Sequence, residues 1–356
     1  MTKRKKHRIL AWTALVFVIL IVAILITWVV MTLTGRSSIS HGSFSKRPNF
    51  GDAVVQGETL TPEEEAIWEE DWIRYDGGVY EYKDDIMTFL FMGIDVNAEL
   101  SDKQTDLKSG QADALFLLVL VPDTKQIYVI GIDRNSMTTF QVYDKDGQLL
   151  HDAEGQIALA HGYGDGRELS ASNTERAVSK FLYDLPIHGY CAINMAAIPT
   201  LNDAIDGVQV TVMEDIPVDK AFIKGNEVHL KGKQAYYYIK YRNTDIEGSA
   251  RDRLNRQKQY LTAYISKAKQ EFESDITIPV KLYQALSKYL VTDISLDEIV
   301  YLSQNVSGYH FQNENIRLIP GTTDTSGTYD EFYVDDVALK ALMVEVFYRP
   351  VLDAEE

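Results

Sequence analysis

Three carboxylates mark the ends of short apolar runs in the sequence. Asp95 and Asp133 directly follow two of these runs, and Asp113 directly precedes a third. Ligand sites of open α/β sheets gather at strand ends, and two carboxylates on neighbouring strands can share a Mg²⁺ ion. Loops are polar in most proteins, so acids at strand ends can be ordinary loop residues. The spacing taken alone favours this interpretation over a metal site.

A second group of candidate residues is basic and lies in the C-terminal half of the chain. Lys240 and Arg242 are separated by one residue, and Arg253, Arg256 and Gln257 stand at i, i+3 and i+4. On a helix this spacing places the last three on one face. Clustered arginine with glutamine suggests bidentate recognition of an anion, phosphate above all. A solvated helix face whose arginines pair with neighbouring acids explains the spacing equally well.

The apolar pattern predicts the elements that carry these residues. Short, mostly apolar runs over 86–94, 114–121 and 126–132 are typical of buried strands, and a further strand is predicted over 208–213. Helices are predicted from a capping box at 172–175, over 196–205, 231–241 and 250–272, and from a second capping box at 295–298. Strands and helices alternate, so the sequence predicts an α/β domain with a mixed central sheet sandwiched by helices.

The candidate residues occur in a definite order along the chain. The ordered set is Gly93-Ile94-Asp95, Gly110-Gln111-Ala112-Asp113, Asp133-Arg134-Asn135, Lys240-Tyr241-Arg242 and Arg253-Leu254-Asn255-Arg256-Gln257. This set resembles the catalytic domain of the LytR-CpsA-Psr family over residues 86 to about 270. Further segments that are similar to the family lie at 160–164, 202–208 and 230–235. Members of that family transfer a glycan phosphate from a polyprenyl-pyrophosphate carrier onto the cell wall.

The resemblance implies a role for each candidate residue. It implies a phosphotransferase in which Asp95 and Asp113 hold Mg²⁺ and act with Arg134 in catalysis. The residues implied to bind the pyrophosphate are Arg134, Lys240, Arg242, Arg253, Arg256 and Gln257. The implied partners are the polyprenyl-pyrophosphate-linked glycan, a peptidoglycan acceptor and the membrane. Apolar side chains that could admit the prenyl tail are Phe181, Leu182, Ile198 and Leu201, although ordinary core packing explains each of them.

Five positions depart from the family pattern. Gln111 and Lys240 stand where the family has Arg, Asn135 and Ala250 where it has Asp, and Gln156 where it has Lys. Lysine in place of arginine keeps the charge but loses the bidentate fork. Two other functions therefore stay open. One is a polyprenyl-phosphate-binding scaffold or regulator without catalysis, and the other is hydrolysis of the carrier pyrophosphate.

The N-terminus has the pattern of a membrane anchor. Five of the first eight residues are Lys or Arg, and the next 25 carry no charge. Such a helix is roughly 37 Å long, enough to cross a bilayer, and the basic flank predicts a cytoplasmic N-terminus. A cleaved signal peptide is the alternative. The predicted organisation is a cytoplasmic tail (1–8), a transmembrane helix (9–33), a stalk (34–57), a helical lead-in (58–85) and an extracellular catalytic domain (86–350) of a single-pass cell-membrane protein.

Charge and cysteine content narrow the function further. Six of the 35 Lys and Arg lie within residues 1–36, so the rest of the chain sets 29 basic against 52 acidic residues, a balance of −23. Such a domain is not expected to bind nucleic acid. Cys191 is the single cysteine, which excludes an intrachain disulfide and a cysteine-based metal site. His161, in a Gly-rich segment, is expected to be a hydrogen-bonded structural histidine.

Overall fold

The computed structural model describes residues 47–51, 68–69, 72–100, 109–243, 249–275, 277–306 and 308–351. The predicted cytoplasmic tail and transmembrane helix, most of the stalk and the first part of the lead-in lie outside these residues. The helical prediction for the lead-in is wrong over 72–82, where the chain forms two antiparallel strands. In the described ranges, no helix combines the length and the apolar character needed to cross a membrane.

Strands make up much of the described chain. In order they are β1 (Trp72–Tyr75), β2 (Gly78–Tyr82), β3 (Met87–Ile94), β4 (Ala112–Val121), β5 (Gln126–Ile132), β6 (Met137–Tyr143), β7 (Leu149–Gln156), β8 (Gly189–Asn194), β9 (Val208–Thr211), β10 (Glu227–Leu230), β11 (Leu290–Thr292), β12 (Ile316–Leu318), β13 (Gly321–Asp324), β14 (Glu331–Val334) and β15 (Tyr348–Pro350).

The helices alternate with these strands. In order they are α1 (Leu159–Gly162), α2 (Glu168–Phe181), α3 (Ile198–Asp203), α4 (Lys233–Lys240), α5 (Ser249–Ser274), α6 (Ile278–Leu286), α7 (Leu296–Val306) and α8 (Asp336–Phe347). Short 3₁₀ turns cover Met195–Ala197 and Asn313–Asn315.

The central sheet has six strands in the order β11-β8-β3-β4-β5-β12. The pairs β3–β4, β4–β5 and β8–β11 are antiparallel, whereas β3–β8 and β5–β12 are parallel. The sheet is therefore mixed, as the sequence predicts.

Each face of the sheet is covered because the strands alternate their apolar side chains. In β3, Leu90 and Met92 enter the large core that includes residues of α2 and α8. Met87 and Phe89 enter a second core on the other face, against which α7 packs. Side chains at successive strand positions point to opposite faces, and each that is fully buried contributes about 1.5–3 kcal/mol. This arrangement confirms helices on both faces of the sheet.

A third apolar cluster holds α4 and α5 beside the β9–β10 pair. Val208 and Leu230 of the two strands pack with Tyr238 of α4 and Tyr260 of α5, all of them buried. This cluster fixes the helix that carries the candidate arginines.

Two helix starts test the capping predictions differently. For α2 the predicted box at 172–175 is wrong, since the helix begins at Glu168. There Asp165 Oδ1 accepts the Ser170 N–H at 3.1 Å, while Ser172 Oγ donates to Leu169 O inside the helix. The box at 295–298 is confirmed. The Ser295 N–H donates to Glu298 Oε2 at 2.7 Å, and α7 starts at Leu296.

Two hairpins that the sequence pattern did not predict flank the end of β5. The β6–β7 pair and the β13–β14 pair are both antiparallel. They approach each other where Ser136 bridges Phe332, and the Phe332 N–H donates to Asn135 O at 2.9 Å. Both hairpins therefore contact the short segment that follows Arg134.

Candidate active site

A β-bulge places Asp113. The sequence predicts this residue just before β4, but it is the second residue inside the strand. The β3–β4 register passes from Gly93 opposite Ala114 to Ile94 opposite Ala112, which leaves Asp113 without a cross-strand partner. A bulge bends its strand and redirects the extra side chain. Asp113 thereby reaches the end of β3, where Asp95 follows.

The Gln111 main chain joins the two aspartates. Asp95 N–H donates to Gln111 O at 3.1 Å, and the Gln111 N–H returns a bond to Asp95 Oδ1 at 2.7 Å. The Asp113 N–H also donates to Gln111 O, at 3.0 Å. The main-chain N–H and C=O of one residue, Gln111, therefore fix the spacing of the two aspartates.

The turn before Gln111 requires glycine. Gly110 has φ +79°, and a Cβ there would lie 2.6 Å from Val96 Cγ2 and 2.9 Å from Asp95 Oδ1. His161 supports the same turn, because its Nδ1 lies 3.0 Å from Gly110 O and the residue is only 2% exposed. Burial lowers the pKa of His161, which favours the neutral ring. The structural role predicted for this histidine is confirmed.

Arg134 follows β5 and is held by two acceptors. Its Nη1 donates to Asp113 Oδ1, and its Nη2 donates to Gln111 Oε1 at 2.5 Å. An arginine at position 111 could not accept this bond, since a guanidinium has no acceptor. The replacement of Arg by Gln in this chain therefore provides Arg134 with a second partner.

The charges around Asp113 oppose one another. Burial raises the pKa of Asp113, Arg134 lowers it, the neighbouring Asp95 raises it, and Arg253 lowers it, with a net rise. The two aspartates are thus close enough for Asp95 to act on the charge of Asp113, and Asp113 lies beside Arg134.

Arg253 of α5 belongs to the same cluster. Burial lowers the pKa of Arg253; Asp113 opposes this, whereas Arg242 and Arg134 add to it. The structure therefore brings two of the predicted arginines, Arg134 and Arg253, to Asp113, and Arg242 lies near Arg253. Like charges held together in a half-buried position are favourable only when an anion offsets them.

Arg256 lies elsewhere and needs a correction. It is 1% exposed, forms a salt bridge with Glu214, and donates to the carbonyl oxygens of Tyr238, at 3.0 Å, and Tyr241. Its guanidinium also lies 5.5 Å from the centre of the Tyr241 ring. Every one of these contacts is with the protein interior, so Arg256 is a structural residue and is removed from the pyrophosphate-binding set.

Two other members of the predicted set have local partners. Gln257 Nε2 donates to Ile239 O at 3.3 Å, at the end of α4. Lys240 is exposed, and its Nζ donates to Tyr236 Oη at 2.5 Å and lies 5.0 Å from the ring centre. These contacts orient both side chains from α4.

A cleft of about 450 Å³ adjoins the cluster. Its lining residues are Asp95, Val96, Gly110, Gln111, Leu159, Gly162 and Tyr163. Polar groups from the turn meet apolar side chains there, as in sites for ligands with a charged head and an apolar body.

The four apolar residues considered for the prenyl tail do not form one lining. Phe181 and Leu182 pack in the large core, Ile198 packs against the cluster of α4 and α5, and Leu201 joins another small cluster. Ordinary core packing, the alternative interpretation, accounts for all four.

Asp95 and Asp113 are the residues that could hold a divalent cation. Among the described residues there is no group of three or more His, Cys, Asp or Glu side chains arranged for a metal. Mg²⁺ is often held by only one or two carboxylates, completed by water and substrate phosphate. A pair of neighbouring aspartates beside arginines fits that donor set.

Two features of this cluster were not predicted from the sequence. One is the double role of Gln111, and the other is the support of Gly110 by His161. The Gly110-Gln111-Ala112-Asp113 segment gives a hint of the role of Gln111. A glycine at the start of a strand indicates a bulge or a close approach of the backbone to another group.

Comparison with known proteins agrees with the fold. The model of the LytR_cpsA_psr family matches residues 58–346. The chain is 28% identical over 240 residues to the polyisoprenyl-teichoic acid–peptidoglycan teichoic acid transferase TagU of Bacillus cereus, covering 67% of this chain and 70% of TagU. It is also 27% identical over 285 residues to TagV of Bacillus subtilis, covering 77% of this chain and 67% of TagV. TagV bears the same transferase name as TagU.

A solved structure shows the same fold. The crystal structure of protein gbs0355 from Streptococcus agalactiae superposes with a TM-score of 0.59 at 21% identity, covering 73% of this chain and 86% of that one. The fold and the cluster define an α/β protein with an aspartate–arginine site at the ends of the inner strands β3, β4 and β5 of its central sheet. The chain belongs to the LytR_cpsA_psr family.

Proposed function

We propose that this protein transfers a glycan phosphate from a polyprenyl-pyrophosphate carrier onto peptidoglycan, as the names of its relatives TagU and TagV describe for teichoic acid. The observation that carries the proposal is the anchoring of Arg134 by Asp113 and Gln111, with Arg253 close by. Arg134 and Arg253 both act on the Asp113 carboxylate, and phosphoryl transfer needs this kind of positioning and charge stabilisation.

Arg134 has a donor to spare for a phosphate. Arg134 Nε is buried, and no hydrogen-bond acceptor for it is found in the part of the chain that the structure describes. A buried donor without an acceptor costs about 1–3 kcal/mol, and a phosphate oxygen would supply the missing acceptor. Arg253 and Arg242 would add charge around the same group, with Lys240, Gln257 and the α4 end at the periphery.

The reaction requires the pyrophosphate to be held while an acceptor hydroxyl attacks the phosphorus that carries the glycan. The P–O bond to the acceptor forms, the bond to polyprenyl phosphate breaks, and the hydroxyl proton is released. Arg134 and Arg253 would stabilise the negative charge on the phosphoryl oxygens. Asp95 and Asp113 would hold Mg²⁺, which neutralises phosphate charge when bound. The cleft beside Asp95 would receive the first part of the carrier lipid.

The membrane placement belongs to the same proposal. The basic N-terminus and the uncharged run over 9–33 would anchor the chain, with the acidic domain outside the cell. A lipid carrier is confined to the membrane, so an anchored enzyme meets it at high local concentration. Alkaline phosphatase fused to the C-terminus should be active if this orientation holds, and inactive if the C-terminus stays in the cytoplasm.

The decisive experiment uses the full-length protein in detergent or nanodiscs. It is incubated with a polyprenyl-pyrophosphate-linked oligosaccharide and a peptidoglycan oligomer, with and without Mg²⁺, and the products are identified by mass spectrometry. We expect a phosphodiester-linked adduct that needs Mg²⁺ and is lost in Arg134→Ala. The matched control is Arg317→Ala, which removes a surface arginine paired with Glu345 outside the site.

Two outcomes would overturn the proposal in different ways. A carrier that binds but is not cleaved, with a TagU relative active in parallel, would indicate a lipid-binding scaffold. Glycan phosphate released into solution without an adduct would indicate a hydrolase.

A further inference from the structure

The β13–β14 hairpin presents two tyrosines to solvent. Tyr329 is 73% exposed and Tyr333 is 48% exposed, whereas Phe332 between them points into the core at 8% exposure. Alternation along β14 turns Phe332 inward and Tyr333 outward. Exposed tyrosine rings grouped on one element are typical of interaction surfaces, because a flat ring offers a large contact area at low entropic cost.

This hairpin is attached to the candidate active site. The Phe332 N–H donates to the carbonyl oxygen of Asn135, the residue after Arg134, at 2.9 Å. Gln156 Nε2, at the end of β7, donates to Asp330 O at 2.7 Å. The strand that carries Tyr333 is therefore bonded to the main chain of the residue that follows Arg134.

Carboxylates accompany the rings. Tyr333 Oη donates to Glu331 Oε2 at 2.5 Å, and Glu154 on the neighbouring β7 strand is close enough to act on the same hydroxyl. A ring face can cover the apolar C–H face of a sugar while adjacent carboxylates accept hydrogen bonds from its hydroxyl groups. We call the surface formed by Tyr329, Glu331, Tyr333 and Glu154 the hairpin face.

The charge of the hairpin face selects between ligands. Residues 321–334 contain three acids and no Lys or Arg, and β7 adds two further acids without a basic residue. The donor carries phosphate, which such a surface repels, and the arginines that attract phosphate lie at the Arg134 cluster instead. An uncharged glycan rich in hydroxyl groups suits an acidic, aromatic surface.

From these observations we infer that the hairpin face binds the acceptor through its uncharged N-acetylhexosamine backbone and leads its hydroxyl group to the Arg134 site. This inference rests on the proposed function and adds to it the location of the acceptor. In the transfer step the acceptor hydroxyl oxygen forms the new P–O bond, the bond to polyprenyl phosphate breaks, and the hydroxyl proton passes to water.

The test measures acceptor binding and acceptor use separately in the full-length protein. The binding probe is the N-acetylglucosamine tetramer, followed by saturation-transfer NMR without any donor. The transfer assay then yields KM for the acceptor and for the carrier-linked donor. The variants are Tyr329→Ala, Tyr333→Ala and the double replacement. Val337→Ala is the control, because Val337 is 71% exposed on α8 outside the hairpin face.

We expect the double variant to weaken tetramer binding and to raise the acceptor KM by about tenfold each, with the donor KM unchanged. Tyr333→Phe keeps the ring and should retain most of the binding. Unchanged tetramer binding in the double variant would overturn the inference, as would a raised donor KM with an unchanged acceptor KM. If the wild-type protein binds the tetramer through these tyrosines but makes no adduct, the proposed function fails while the glycan surface stands.

Discussion

Arg253 and Arg256 lie three residues apart on α5 and face different surroundings. Arg253 is half-buried beside Asp113, Arg134 and Arg242. Arg256 is 1% exposed and bound to Glu214 and to two main-chain carbonyl groups. Positions three apart differ by about 60° around a helix, which is enough to turn one side chain to the site and the other to the core.

Replacement of Arg256 should destabilise the protein. Arg256→Ala leaves Glu214 and two carbonyl groups without their partner, and breaking such a buried pair costs about 3–5 kcal/mol. Thermal unfolding should show a Tm several degrees lower, with a similar loss in chemical denaturation. Arg317→Ala, at the surface, serves as the control. It should change the free energy of unfolding by no more than about 0.5 kcal/mol. An unchanged Tm for Arg256→Ala would contradict the interior role.

Replacement of Arg253 should have the opposite profile. The burial and the neighbouring cations that lower the pKa of Arg253 show a charge held at some cost. Arg253→Ala should therefore leave Tm unchanged or slightly raised. Its transfer rate should fall about 100-fold, the magnitude typical for removing one group that stabilises a transition state. Tm and initial transfer rates measured on the same preparation give the comparison, and a normal rate would remove Arg253 from the site.

Periodicity explains why part of the fold and site was predictable. Asp95 lies one residue after β3, and Arg134 lies two residues after β5. The apolar runs of both strands are nearly continuous, because both faces of the central sheet are covered. The long helix that carries Arg253 was predictable from its length and spacing. The mixed sheet followed from the alternation of strands and helices.

Other features depend on contacts between distant segments, and the sequence pattern does not carry them. The bulge at Asp113 is a matter of register between β3 and β4. The start of α2 is set by Asp165, which competes with the box at 172–175. The β13–β14 hairpin lacks an alternating pattern because nearly all of residues 321–331 are exposed on both sides. Helical spacing groups Arg256 with Arg253, and only the packing of α4 on α5 separates them.

A carboxyl group away from the site should make stability depend on pH. Burial, with the nearby Asp293, raises the pKa of Glu175 to about 7, while Arg176 lowers it. The folded state therefore holds this proton more tightly than the unfolded chain does. The resulting stability is complete below the ordinary glutamate pKa of about 4.3 and is lost as pH rises through about 7.

Glu175→Gln should remove this dependence. At pH 8 the variant should be more stable than the wild type by about 2 kcal/mol, a value reduced for partial solvent screening, and at pH 4 the two should be equal. Urea unfolding across this pH range measures the difference. Glu227→Gln, an exposed carboxylate on β10, should follow the wild type. A constant difference between Glu175→Gln and the wild type at all pH values would show that the carboxyl proton is not the cause.

Gln111 offers the sharpest test of how Arg134 is positioned. Its main chain fixes Asp95 and Asp113, and its side chain alone accepts the bond from Arg134 Nη2 at 2.5 Å. Gln111→Met keeps the length and the main-chain bonds but removes that acceptor. Arg134 would then be held by Asp113 only, and a guanidinium held at one end rotates more freely. We expect kcat to fall about tenfold, because small errors in position reduce the stabilisation of the transition state.

Gln111→Glu separates positioning from charge. The carboxylate still accepts the Arg134 bond, so the geometry is kept, but a third negative charge then lies beside Asp95 and Asp113. A pyrophosphate is repelled by that charge, and the donor KM should rise with a smaller change in kcat. Initial rates at varied donor concentration give both constants, and Gln209→Met on β9 is the control. Equal loss of kcat in both variants would show that the amide itself contacts the substrate. Wild-type kcat in Gln111→Met would show that Asp113 alone positions Arg134, and the glutamine at this position would then have no part in the reaction.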